Sequence, residues 1–200
     1  MGIRSLQTAA SISTGVKSNK FWDNYTVPAN GIELIAQQVY TSSGSGQIVF
    51  NSIPQTYSHL YIISKFRDGD TSNFDIAFTN MQFNGTNPSN IETNFTYGYS
   101  TNAATTTKYQ NACFGAAIQR GNGPAGAYAV SVTYIPFYTI SGRQKHFHWE
   151  TGVSGFSSTW GFYGFGNAHN GTTNPITSLA IDPGNNGWAA GSMVQVYGVK

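Results

Sequence analysis

His146, His148 and Glu150 come nearest to reactive chemistry in this 200-residue chain. On a β-strand alternate side chains leave the same face, so all three point one way. At the rise of a strand, two imidazoles two residues apart are separated by ~6.8 Å and can share a metal ion. The outer members, His146 and Glu150, are ~13–14 Å apart and cannot join one coordination sphere. A third ligand would have to come from His59 or His169, the other two histidines. His146 and His148 are thus the residues that would hold a metal. Histidines on a solvent face or an interface are the simpler reading, and neither metal nor cofactor is expected.

Other motifs lead in the same direction. Asp68-Gly69-Asp70 could open a calcium loop, but no acidic residue closes the ligand set, and a turn accounts for it. Of the eight acids, only Glu92 and Glu150 sit in aromatic strand patterns, and nothing pairs them for glycoside hydrolysis. Gly161, Gly164 and Gly166 have the wrong spacing for a dinucleotide loop, and no helical pattern follows. There is no G-x-S-x-G, P-loop or H-E-x-x-H sequence. Trp149, Trp160 and Tyr163, with Tyr97, Tyr99 and Trp188, could stack on sugar rings. The competing use of such aromatics is a core plus a subunit interface. A non-enzymatic protein is expected.

Composition supports that expectation. Charged residues are 9% of the chain, aromatics are 14%, and there are 23 glycines. An ordinary domain has roughly 25% charged residues. A surface of amides and hydroxyls can be buried against neighbours without stranding charge. The net charge of +2 gives no reason to expect direct nucleic-acid or membrane binding. It is unevenly placed, since residues 1–20 carry Arg4, Lys17 and Lys20 and no acid. In that segment Leu6, Ile12 and Val16 are isolated and follow no period, so it reads as an arm that orders against a partner. Phe21 and Trp22 form its apolar anchor. The single cysteine, Cys113, permits no intrachain disulfide. Met1–Val16 has no signal-peptide core, and no stretch approaches the ~20 apolar residues of a membrane helix. The four N-x-S/T sequons, at Asn24, Asn84, Asn94 and Asn170, are what chance gives a chain so rich in Asn and Thr.

From Ile32 onward the hydrophobic period is two. Tyr57–Arg67 predicts a strand with Leu60, Ile62 and Phe66 on one face and His59, Tyr61, Lys65 and Arg67 on the other. Met81 and Phe83 fall out of phase with Phe74, Ile76 and Phe78, which predicts a bulge near Asn80. Val130, Val132 and Tyr134 share one face of another strand, and Pro136 marks that strand as an edge or its end. Phe147, Trp149 and Val153 point inward from a strand over Gln144–Val153. Residues 101–107 read as a polar loop tip. Nine to eleven short strands, with turn signals about every ten residues, predict an all-β sandwich or barrel.

Three blocks carry a family resemblance. Ser11-Ile12-Ser13-Thr14-Gly15 with Lys20-Phe21-Trp22-Asp23 resembles the N-terminal arm of small tailed-bacteriophage virion proteins. Ile53-Pro54-Gln55-Thr56-Tyr57-Ser58-His59-Leu60 resembles their most distinctive block. Ala189-Ala190-Gly191-Ser192 with Tyr197-Gly198-Val199 resembles their C-terminus. Trp188 and Val196 stand where phenylalanine and leucine are usual, and residues 84–145 match less closely. The resemblance implies a jelly-roll-type antiparallel β-sandwich over residues 23–200, behind an extended anchoring arm at residues 1–22. It implies a virion component assembled in the host cytoplasm: capsid decoration or cement, or a neck or tail protein. Its partners would be major capsid, portal, neck or tail proteins. Closed symmetry predicts a homo-oligomer, with a trimer expected. The arm contacts would come from Arg4, Leu6, Ile12, Val16, Lys17, Lys20, Phe21 and Trp22. The alternative is a carbohydrate- or receptor-binding module of a tail fibre or spike, using Trp149, Trp160 and Tyr163 on a surface glycan.

Overall fold

A computed structural model describes residues 31–69, 76–85, 91–99, 105–110, 114–119, 126–154, 159–168, 173–183 and 187–200. These residues form twelve strands and no helix: β1 Ile32–Val39, β2 Ile48–Phe50, β3 His59–Phe66, β4 Ile76–Phe83, β5 Ile91–Tyr99, β6 Thr105–Gln110, β7 Phe114–Gln119, β8 Ala129–Ile135, β9 Lys145–Ser154, β10 Thr159–Ala168, β11 Leu179–Asp182 and β12 Met193–Val199. All pairings between them are antiparallel.

The strands make two sheets. One has eight strands in the order β1-β12-β3-β8-β9-β10-β5-β6, and the other has four, β2-β11-β4-β7. Without β5, β6, β9 and β10, the remaining eight strands count 1-8-3-6 in one sheet and 2-7-4-5 in the other. That strand order fits two interlocked Greek keys, as in a jelly roll. The remaining four strands, β9-β10-β5-β6, lengthen the first sheet beyond β8.

Aromatic side chains fill the space between the sheets. Phe83 of β4 meets Phe147 of β9 edge-on at 5.9 Å, and Phe78 lies 5.3 Å from Phe95 of β5. Leu60, Ile62 and Phe66 are buried, as the alternation predicts, and so are Phe147, Trp149 and Val153. The β4–β7 register shifts between Thr79 and Asn80, where an irregularity is expected, but the extra residue is Gly115 on β7, and Thr79, Met81 and Phe83 alternate inward along β4 without a break. Trp188 closes one end. It bridges to Gly44 and Asp68, donates Nε1–H to the Gly46 carbonyl at 2.9 Å, and stacks 4.8 Å from Phe66. Gly187 beside it has φ +76°, and a Cβ there would lie 2.4 Å from the Gly44 carbonyl oxygen. Both demands select glycine.

Two expectations are corrected. Residues 105–107 belong to strand β6, paired along β5, and are not part of a loop. Their β-branched threonines suit a strand, and polarity alone hid that. Asp68 is buried and forms a bridge to Trp188, the chain bends at Gly69, and Asp70 of the expected turn lies outside the described residues. Trp149 and Trp188 are also buried, so neither can serve as an exposed stacking surface.

Strand β8 keeps Val130, Val132 and Tyr134 on one face, as expected. Its inward side chains are Ala129, Ser131, Thr133 and Ile135, whereas the apolar set Val130, Val132 and Tyr134 faces outward. Strand β7, with its Gly115-Ala116-Ala117 run, lies against β8 and β9.

Candidate functional site

The arm residues Arg4, Leu6, Ile12, Val16, Lys17, Lys20, Phe21 and Trp22 lie outside the described residues. What is described is where that segment joins the body, at Gly31, immediately before β1. Strand β1 forms one edge of the large sheet and is held by β12 on its other side. Its Glu33 accepts a hydrogen bond from the Tyr57 hydroxyl at 2.6 Å. That bond, and then burial, pushes the Tyr57 pKa up. Tyr57 also packs on Gly198 of β12, where a Cβ would come within 2.4 Å of the ring. Ser192, just before β12, accepts from the Arg67 backbone N–H and donates to the Arg67 carbonyl, both at 3.1 Å.

His146, His148 and Glu150 occupy alternate positions of β9, and all three are exposed on the outer face of the large sheet. Their neighbours in register on β8 are Tyr134, beside His148, and Val132, beside Glu150. Neither supplies a metal ligand of the usual kind. Among the described residues no group of three His, Cys, Asp or Glu side chains is placed to hold a metal. His59 is engaged elsewhere. Its Nδ1 accepts from the Phe137 backbone N–H at 3.2 Å and lies 3.0 Å from the Tyr134 hydroxyl. A backbone N–H can only donate, so in this contact Nδ1 accepts and the tyrosine hydroxyl is the donor. His169 lies outside the described residues.

His146 borders the concave feature that sequence reasoning missed. A surface cleft of about 350 Å³ is lined by Pro136, Phe137, Ile140, Arg143, Gln144 and His146. It follows β8, where Pro136 stops the strand as expected. Phe137 has φ +50°, a costly conformation for a bulky residue. The His59 hydrogen bond and an edge-on ring contact with His59 at 4.8 Å hold it there. Its ring is left 57% exposed. An aromatic immediately after a strand-ending proline was the available signal. No carboxylate lines the cleft, and Arg143, Gln144 and His146 bring hydrogen-bond donors to its rim. The arrangement can hold a polar ring against an apolar platform.

Lys145 braces that loop from below. Its side chain is buried, its ammonium donates to the Ile140 carbonyl, and burial pushes its pKa down. Of the aromatics proposed for glycan stacking, Trp149 is enclosed by Phe78 and Phe95. Trp160 and Tyr163 lie on β10, opposite Val153 and Glu150 in register, and their side chains are outside the described residues. Asn84 of one sequon is occupied in a clamp. Its Oδ1 accepts from the backbone N–H groups of Thr177 and Ser178, and its Nδ2 donates to the Pro175 carbonyl. No helix among the described residues is long and apolar enough to cross a membrane.

Comparison of the chain with protein-family models, curated proteins and solved structures gives no match.

Proposed function

We propose that this protein is a non-enzymatic structural component of a tailed-phage virion, attached to other virion proteins through residues 1–22. One observation carries the reading. Two of the three blocks behind the family resemblance, far apart in sequence, pack together beside β1, while the block at residues 11–23 lies outside the described residues. Ile53–Leu60 leads into β3, Ala189–Lys200 contains β12, and β12 lies between β3 and β1. Tyr57 of the first block packs on Gly198 of the last and bonds to Glu33 of β1. The likeness therefore falls on a coherent scaffold that presents the start of β1. A basic segment before a near-neutral body suits attachment to an acidic assembly. Capsid decoration, neck and tail positions all accommodate this design, and its site of assembly would be the host cytoplasm.

Deleting residues 1–20 tests the reading. The truncated protein should remain a folded sandwich by circular dichroism and thermal melting, and be lost from purified particles. Normal incorporation of the truncated chain would overturn attachment through the arm.

A second reading, binding of a surface glycan, is favoured by the exposed Phe137 ring beside Arg143, Gln144 and His146. Under this reading a glycan array shows saturable binding that Phe137→Ala abolishes without lowering the melting temperature. Binding that survives the substitution would remove the cleft from consideration.

A further inference from the structure

On β1, β12, β3 and β8 the outer face of the large sheet is rich in apolar and tyrosine side chains where a solvated sheet would be polar. In register across four strands, Leu34 of β1, Tyr197 of β12, Tyr61 of β3 and Tyr134 of β8 stand side by side. One row along lie Gln37, Gln195, Ile63 and Val132, and beyond them Val39, Met193, Lys65 and Val130. The described residues leave Val130 54% exposed, Leu34 47% and Val39 40%. Isolated exposed apolar residues are ordinary, but a contiguous patch rimmed by polar residues marks an interface. The polar rim begins at β9, with His148 and Glu150.

We infer that this face, centred on Tyr61, Ile63 and Val132, is where copies of this chain associate with one another. Three arguments select a second copy as the occupant. First, these rows carry no carboxylate, and their one ammonium, on Lys65, lies over the Tyr128 ring at 4.1 Å. An almost uncharged patch can meet its own copy without like-charge repulsion, whereas a strongly charged partner finds no counterpart there. Second, four strands ~4.8 Å apart and three rows ~6.8 Å apart give a flat area of about 400 Å² before side-chain relief, about half of the roughly 800 Å² per partner that a stable interface takes. Third, tyrosines provide large rigid contact area with a polar tip, and they are enriched in such interfaces. The Tyr134 hydroxyl is already bonded to His59, so covering it strands no donor. The inference holds whatever particle the protein belongs to, and closed symmetry makes the product a discrete multimer.

The test uses the full chain at micromolar concentration, with mass read by light scattering and sedimentation velocity. The wild-type protein should be a discrete multimer. Ile63→Lys and Val132→Lys should each weaken association at least tenfold and release monomer. Val49→Lys, at an exposed position on β2 of the other sheet, should leave the mass unchanged. Val130→Thr, a near-isosteric change at an exposed site, serves if the lysine variants fail to fold, and should shift the equilibrium the same way. A wild-type chain that is monomeric throughout overturns the inference. In that case, strong amide protection confined to this face would assign the cover to residues 1–30 of the same chain, and binding to neutral vesicles would assign it to lipid. A multimer whose mass survives Ile63→Lys or Val130→Thr overturns it equally.

Discussion

Strands β8 and β9 are neighbours in one sheet, yet they divide polar and apolar residues in opposite ways. On β9, Phe147, Trp149 and Val153 face the core, and His146, His148 and Glu150 face out. On β8, Ser131 and Thr133 face the core, and Val130, Val132 and Tyr134 face out. The buried hydroxyls of β8 are satisfied locally. Thr151 donates to the Ser131 oxygen at 2.8 Å, and Ser131 donates to the Glu150 carbonyl at 2.9 Å. Burying a hydroxyl costs little once it is bonded, so the inner face of β8 tolerates small polar residues where β7 packs closely. No such compensation explains an apolar outer face. The contrast is what the proposed self-association would account for: an outer face of β9 suited to water beside an outer face of β8 suited to a second copy.

The largest expected effect tests the core side of the comparison. Trp149→Ala removes a fully buried indole from between Phe78 and Phe95 and should cost about 3–5 kcal/mol in chemical denaturation. Val130→Thr, on the outer face of β8, should change the stability of the dilute monomer by less than ~0.5 kcal/mol. Comparable losses at the two positions would mean that the outer face of β8 is already packed within one chain, and the contrast would fail.

How far the sequence displayed these features depends on what kind of signal each needed. The period of two placed Leu60, Ile62 and Phe66 on one face, and the irregularity falls near Asn80 as expected, although its extra residue, Gly115, sits on the partner strand β7, which the pattern of β4 could not display. The same period cannot say which face is inside. On β9 hydrophobicity decides correctly, whereas on β8 it would choose wrongly, since closeness to β7 outweighs it. The β6 strand was hidden by its threonines, whose polarity suggested a loop and whose branching suits a sheet. The cleft at Phe137 depends on a positive φ and on His59, which is 78 residues away, and no local pattern encodes that pairing. The arm candidates were legible as charge and composition only.

A smaller effect sharpens the inner side of the comparison. Ser131→Ala leaves the Glu150 carbonyl and the Thr151 hydroxyl without their shared partner, and should cost about 1 kcal/mol. If that bonded pair is the reason polar residues are tolerated inside β8, Ser131→Ala with Thr151→Val should cost less than the sum of the single changes. A double-mutant cycle in urea measures this directly, and strict additivity would separate the two hydroxyls.

The smallest effect is a pair of opposed alkaline slopes, one from each strand. Tyr134, on the outer face of β8, has its pKa raised above 10.0 by burial, with Tyr61 adding to the shift. Between 10.0 and that raised value the folded chain holds a proton that the unfolded chain has lost, so stability falls as pH rises through this window. Lys145, inward on β9, has its pKa lowered below 10.5 by burial. In the window below 10.5 the unfolded chain holds the extra proton, so this group makes stability rise with pH. Urea titrations across this range should show a steeper alkaline loss for Lys145→Met than for the parent chain, and a shallower one for Tyr134→Phe. Ultraviolet difference spectra of the tyrosinates supply the link to the outer face. If copies cover Tyr134, its ionisation should move to still higher pH as protein concentration rises, and Ile63→Lys should cancel that dependence. A titration independent of concentration in a chain that does self-associate would place the contact away from β8.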